Sequence, residues 1–307
     1  MSSVKNILVL GAGELGTEIL LSLAQHPALS SNTSISVLLR PSSIASPDPS
    51  KAAELERLKA NNIALVPADI SSSSQSSLSS LFSVYDTIIS ATGFSAGRGT
   101  QLKLTRAVLD ARVPRYIPWQ FGVDYDIIGR GSAQDLFDEQ LDVRDLLRSQ
   151  GKTKWVIIST GMFTSFLFER AFGVVDAEKG VVTALGSWEN RVTVTAPVDI
   201  GRVTADIALG GSFGDPDNIV YVAGDTVSYE RVAEIVESVM GKAFDRRVRT
   251  VDDAKRDLAQ EPENGLYKYQ IVFGEGRGVA WDAEETWNGQ RGMRLQTAKE
   301  WARENLV

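Results

Sequence analysis

Val4 to Leu23 reads VKNILVLGAGELGTEILLSL, and this stretch decides the fold. A short apolar run, Ile7 to Leu10, leads into Gly11-x-Gly13-x-x-Gly16, after which Leu15, Ile19 and Leu23 recur at helical spacing. Strand, glycine turn and helix in this order make a dinucleotide-binding unit. The first glycine permits the tight turn, the second lets backbone approach a pyrophosphate, and the third lets helix and strand pack closely. The free N–H groups of the first helical turn, at Glu14, Leu15 and Gly16, then face the phosphates, where the helix dipole favours negative charge.

The rest of the composition narrows the chemistry. A chain of 307 residues can bury one large or two moderate cores. A net charge of -7 without a basic run argues against nucleic acid or an anionic membrane as partner. Four apolar residues after Asn6 are too few for a signal core and no later run is long enough to span a bilayer, so a cytoplasmic protein is expected. There is no cysteine, which excludes disulfides, thiolate nucleophiles and cysteine-ligated zinc. The single histidine, His26, precedes Pro27 where the first helix should end, and reads as a helix-end or surface residue. Proton transfer is left to carboxyl, tyrosine, lysine, hydroxyl or water.

Working outward from the glycine turn, Ser34 to Leu39 reads as the second strand and ends at Arg40, with Lys51 beyond a Ser/Pro-rich loop. An acid at this strand end would hold the ribose 2′-hydroxyl of NAD, whereas arginine accommodates the 2′-phosphate of NADP. Arg40 and Lys51 therefore point to NADP(H). Asp69, after the strand Ile63 to Val66, is placed to touch the adenine, and Ala91-Thr92-Gly93 after Thr87 to Ser90 lets a cofactor lie against backbone. Beyond the strand Arg115 to Pro118, Trp119, Gln120, Phe121, Asp124 and Tyr125 should line the cleft near the nicotinamide.

The helix expected over Ser132 to Arg148 carries Asp135, Asp138, Asp142 and Asp145 on one face. No histidine stands near to complete a metal site, so this face reads as solvated and no metal is expected. On the other face Gln140 interrupts the stripe Leu136, Val143, Leu147, so its amide is either satisfied by backbone or turned to a ligand cavity. Met162, Phe163 and Phe166, after the buried run Trp155 to Ser159, suit core packing or the wall of a flat substrate pocket. Later segments read as a hairpin of Val181 to Leu185 with Arg191 to Thr195, a helix over Pro197 to Leu209 and a strand over Ile219 to Ala223. A helix over Ser228 to Met240, a strand near Arg247 to Val251, a helix near Asp252 to Gln260, an aromatic segment from Tyr267 to Phe273 and a helix near Thr297 to Asn305 follow. The fold class is α/β: a Rossmann-type doubly wound parallel sheet over residues 1–160, with a strand near 219–224 returning to it, and a smaller substrate-binding part over 161–307.

These residues resemble the isoflavone reductase-like and NmrA-like group of atypical short-chain dehydrogenases, and most nearly its fungal CipA-type members. In that group the glycine turn is followed by an arginine after the second strand and a lysine some ten residues later, both on the NADPH 2′-phosphate; Gly11, Gly13, Gly16, Arg40 and Lys51 match. Phe121-Gly122-Val123-Asp124 matches the group's FG-x-D element, and Gln101 matches a glutamine common at the start of the preceding helix; the resemblance implies that Phe121 and Gln101 bind the cofactor. Plant members carry Ser-Glu where this chain has Trp119-Gln120. Their general acid/base lysine falls at Gln140, and no lysine occurs between Lys103 and Lys152. The resemblance implies an NADPH-dependent reductase of a small aromatic or conjugated, secondary-metabolite-like molecule, working without that lysine. Gln140 would orient the acceptor, and Tyr125, Asp124 or water would supply the proton. Two other readings stay open: an NADP(H)-sensing regulator without chemistry, and an isomerase or dehydratase in the same pocket.

Overall fold

The computed structural model describes residues 6–94, 97–210, 213 and 218–306; Val4 and Lys5 of the opening stretch lie outside them. The chain runs through β1 (Asn6–Leu10), α1 (Glu14–Ala24), β2 (Ser34–Leu39), a single turn α2 (Pro41–Ile44), α3 (Pro49–Ala60), β3 (Ile63–Pro67), α4 (Gln75–Phe82), β4 (Thr87–Ser90), α5 (Thr100–Asp110) and β5 (Arg115–Ile117). Next come α6 (Tyr125–Ile128), α7 (Leu136–Arg148), β6 (Lys154–Trp155), β7 (Ile157–Ser159), β8 (Met162–Phe163), α8 (Thr164–Phe168), β9 (Val175–Asp176), β10 (Val181–Leu185), β11 (Arg191–Thr195) and α9 (Pro197–Gly210). It finishes with β12 (Ile219–Tyr221), β13 (Asp225–Ser228), α10 (Tyr229–Met240), β14 (Asp245–Arg249), α11 (Val251–Gln260), α12 (Gly265–Glu275) and α13 (Ala298–Asn305). Two compact units result, one from Met1–Gln120, Asp142–Ile158 and Ile200–Ile219, the other from Phe121–Leu141, Ser159–Asp199 and Val220–Val307.

The first unit is built on a six-stranded sheet of order β3-β2-β1-β4-β5-β6. Every neighbouring pair in it is parallel. This is the Rossmann order, in which the direction of winding reverses between β1 and β4 and opens a crevice at the strands' carboxyl ends. A parallel sheet covered by helices on both faces needs apolar side chains on both, so its central strands read as unbroken apolar runs. Ile7, Leu8, Val9 and Leu10 are accordingly all fully buried. Leu104, Val108, Val143 and Leu147 pack on the sheet residues Leu8, Leu38 and Ile88. Asp48 caps α3 by accepting from Ser50 N, with Pro49 at the first helical position.

In the second unit β14-β10-β9 and β13-β11-β8 form two three-stranded sheets. The expected hairpin of Val181 to Leu185 with Arg191 to Thr195 does not form. β10 runs parallel to β14, while β11 is antiparallel to β13 and parallel to β8. Gly186 diverts the chain at the end of β10: its N–H donates to Arg249 O of β14 and its φ is +78°. The aromatic segment from Tyr267 to Phe273 is helical, opened by Asn264, whose side chain accepts from Leu266 N and Tyr267 N. The helix expected from Ser132 starts at Leu136. Among the described residues no helix is long and apolar enough to cross a membrane.

Candidate functional site

A cavity of about 340 Å³ in the first unit is lined by Gly11, Ala12, Gly13, Arg40, Ser43, Lys51, Asp69, Ile70, Ser71, Ala91 and Thr92, among others. It lies where the carboxyl ends of β1, β2, β3 and β4 converge. Gly11 turns the chain out of β1 at a φ of +94°, its N–H held by Leu38 O at 3.1 Å. Gly16 sits behind the turn, where any Cβ would run into the Gly11 carbonyl. At Gly13 no atom lies within 4 Å of where a Cβ would stand, so the turn has open space above it. Leu15 is buried behind the turn and Glu14 is exposed.

Two cations border the cavity and no carboxylate ends β2. Arg40 is exposed just before α2, and Lys51 is half-buried in the first turn of α3. Asp69 also lines the cavity, its Oδ1 accepting from Ser71 N at 2.9 Å. Helix α5 braces two segments at these strand ends. Gln101 Nε2 donates to Gly93 O at 2.6 Å, and Lys103 Nζ donates to the carbonyls of Ile70, Ser71 and Ser73 at 2.5, 3.3 and 3.3 Å. Gln101, matched above to a cofactor residue, is thus buried and brackets the Gly93 loop rather than lining the cavity. No local sequence signal marks Lys103 or Ser43; the ammonium's three acceptors lie 30 to 33 residues away in sequence.

Of the residues placed near substrate, Trp119 and Gln120 belong to the first unit, and Met162, Phe163 and Phe166 to the second. The Trp119 ring lies 3.6 Å from where a Gly93 Cβ would stand. Gln120 is fully buried and its Oε1 accepts from Arg144 Nε at 2.7 Å. Arg144 is itself fully buried. The signal for it was available, since it follows Gln140 by one helical repeat on the same face of α7. Met162 is buried in the second unit's core; Phe166 packs against it, its ring 4.6 Å from Phe172 and 5.9 Å from Tyr269.

The second unit also holds Phe121, Asp124, Tyr125 and Gln140, all buried. Asp124 caps α6: its Oδ1 accepts from Asp126 N and Ile127 N, and its Oδ2 accepts from Tyr221 Oη at 2.5 Å. Tyr125 packs edge-on against Phe137 at 4.8 Å, with its hydroxyl 2.5 Å from where a Gly122 Cβ would be. Burial pushes the phenols of Tyr116 and Tyr269 up to about 12, and raises that of Tyr229 as well. None of these three releases a proton near neutral pH. Tyr125→Phe keeps the ring packing on Phe137 and is expected to hold turnover within about threefold. A loss of a hundredfold in a steady-state assay would return the proton to Tyr125. Among the described residues no group of three or more His, Asp or Glu side chains could hold a metal ion.

Fold and cavity together define a doubly wound α/β protein with a glycine turn at its switch point. Residues 3–294 match the NmrA-like family, and the chain belongs to that family. It is similar to an NmrA-like family domain-containing oxidoreductase of Gibberella moniliformis, with 48% identity over 98% of this chain and 99% of that protein. The fold is shared with the crystal structure of isoflavone reductase, at 18% identity and a TM-score of 0.77 over 99% of this chain and 100% of that one. It is also shared with the leucoanthocyanidin reductase–NADPH binary complex from Vitis vinifera, at 18% identity and a TM-score of 0.78 over 97% and 98%.

Proposed function

We propose that this chain is an NADP(H)-dependent oxidoreductase acting on a small aromatic or conjugated molecule. The observation that carries the cofactor is the cavity itself: a glycine turn with open backbone at one side, and Arg40 with Lys51 where the acid of an NAD site would otherwise stand. The 48% identical relative's name supports an oxidoreductase, and the aromatic cluster of Phe166, Phe172 and Tyr269 in the second unit supports an aromatic or conjugated substrate. Bound NADPH supplies a hydride.

The chain's own residues bind, orient and stabilise. Glycine-turn N–H groups hold the pyrophosphate, and Asp69 with the loop braced by Lys103 receives the adenine. Gln140 stands at the position of the family's lysine and can donate an amide N–H to an oxygen on which negative charge develops, but cannot deliver a proton. With Asp124 committed to its cap and Tyr125 to packing, water protonates the product, which a conjugated acceptor permits because hydride addition leaves a resonance-stabilised enolate.

The test follows NADPH oxidation with a panel of enones, quinones and isoflavonoid-like compounds. Gln140→Ala should lower turnover about a hundredfold, the cost of one oxyanion donor, and leave the NADPH dissociation constant within twofold. Undiminished turnover would make Gln140 a core amide. NADPH binding with no oxidation across the panel would favour a regulator.

A further inference from the structure

Lys51 does not face the cavity alone. Its Nζ lies 2.6 Å from Oε2 of Glu54, three residues on in α3. The other oxygen of that carboxylate, Oε1, accepts from Thr17 Oγ1 of α1 at 3.2 Å. The two charged side chains are 31% and 26% exposed, so the pair is partly withdrawn from solvent and incompletely screened. An acid in this place is unexpected beside a 2′-phosphate. Two groups sharing one ammonium stand roughly 5 Å apart, and at that range a carboxylate repels a phosphate unless a cation lies between them.

We infer that Glu54 is a specificity-determining residue: neutralised by Lys51 it holds the ammonium at the 2′-phosphate edge, and unmasked it excludes the 2′-phosphate. Thr17 keeps the carboxylate from swinging away, since its hydroxyl fixes Oε1 while Oε2 meets the lysine. Of the ammonium's three donors Glu54 takes one, which leaves two for a ligand. Lys51 therefore acts twice, by attracting the phosphate and by masking an acid that would repel it. Removing Lys51 alone should turn the cavity edge from attractive to repulsive, whereas removing both charges should leave it merely neutral. This inference rests on the NADP(H) reading above.

The experiment compares the unaltered protein with Lys51→Met, Glu54→Gln and the double variant. Calorimetry measures NADPH, NADH and adenosine 2′,5′-bisphosphate binding at low and at moderate salt. Lys51→Met should weaken NADPH and the bisphosphate about a hundredfold and NADH less than threefold. Adding Glu54→Gln to Lys51→Met should restore about tenfold of the NADPH loss, and the restoration should shrink as salt rises. Glu54→Gln alone should change NADPH affinity less than threefold, because Lys51 already masks the carboxylate and only the tether of the ammonium is loosened. A double variant that binds NADPH no better than Lys51→Met overturns the inference while leaving the cofactor assignment standing. Equal affinity of the unaltered protein for NADPH and NADH overturns the cofactor assignment, and this inference with it.

Discussion

Gly16→Ala is expected to weaken NADPH and NADH together by about a hundredfold and to cost about 1–3 kcal/mol of stability. A Cβ at this position would overlap the Gly11 carbonyl and stand 3.3 Å from Ala91 Cβ. Neither neighbour can yield cheaply. Gly11 is fixed at positive φ with its N–H on Leu38 O, and Ala91 N donates to Leu10 O at 2.9 Å. The helix must move off the sheet, and the N–H groups of its first turn move with it. Denaturant unfolding checks the stability cost and calorimetry the affinity. Unchanged binding of both nucleotides would mean that the turn does not receive the pyrophosphate.

Arg40→Ala is expected to separate the two cofactors: NADPH should weaken about 30-fold and NADH less than twofold. Among the described residues no ion pair engages Arg40, and its guanidinium is exposed at the cavity, so its charge is free for a ligand. Charge-assisted hydrogen bonds to a phosphate are worth about 1.5–3 kcal/mol, or roughly 10- to 150-fold, and partial exposure places this one in the lower half. NADH has no 2′-phosphate and should lose little. Arg40 lies outside the packed core, so the variant should unfold at the same denaturant concentration, and equal loss for both nucleotides would remove the 2′-phosphate assignment.

The first unit was legible because its information is local. Ile7 to Leu10 is an unbroken apolar run followed at once by the glycine turn, and the position of Arg40 relative to β2 needs no long-range contact to interpret. The second unit was less so. Val181 to Leu185 and Arg191 to Thr195 were recognisable as strands, yet alternation says nothing of partners, and two of these, β14 and β13, lie far along the chain. Tyr267 to Phe273 carries β-type side chains, and the cap at Asn264 overrides them. Helical spacing puts Arg144 on the face of Gln140, but its partner Gln120 and the acceptors of Lys103 lie 24 or more residues away, which no spacing rule discloses. Asp124 and Tyr125 were singled out by chemistry, while the helix cap that one forms and the edge-on ring contact of the other depend on the fold.

The most direct measurement is the affinity of the unaltered protein for NADPH and for NADH, by calorimetry under one salt condition. The cavity bordered by Arg40 and Lys51 predicts NADPH binding at least tenfold tighter than NADH. Equal affinities, or a preference for NADH, would contradict the account.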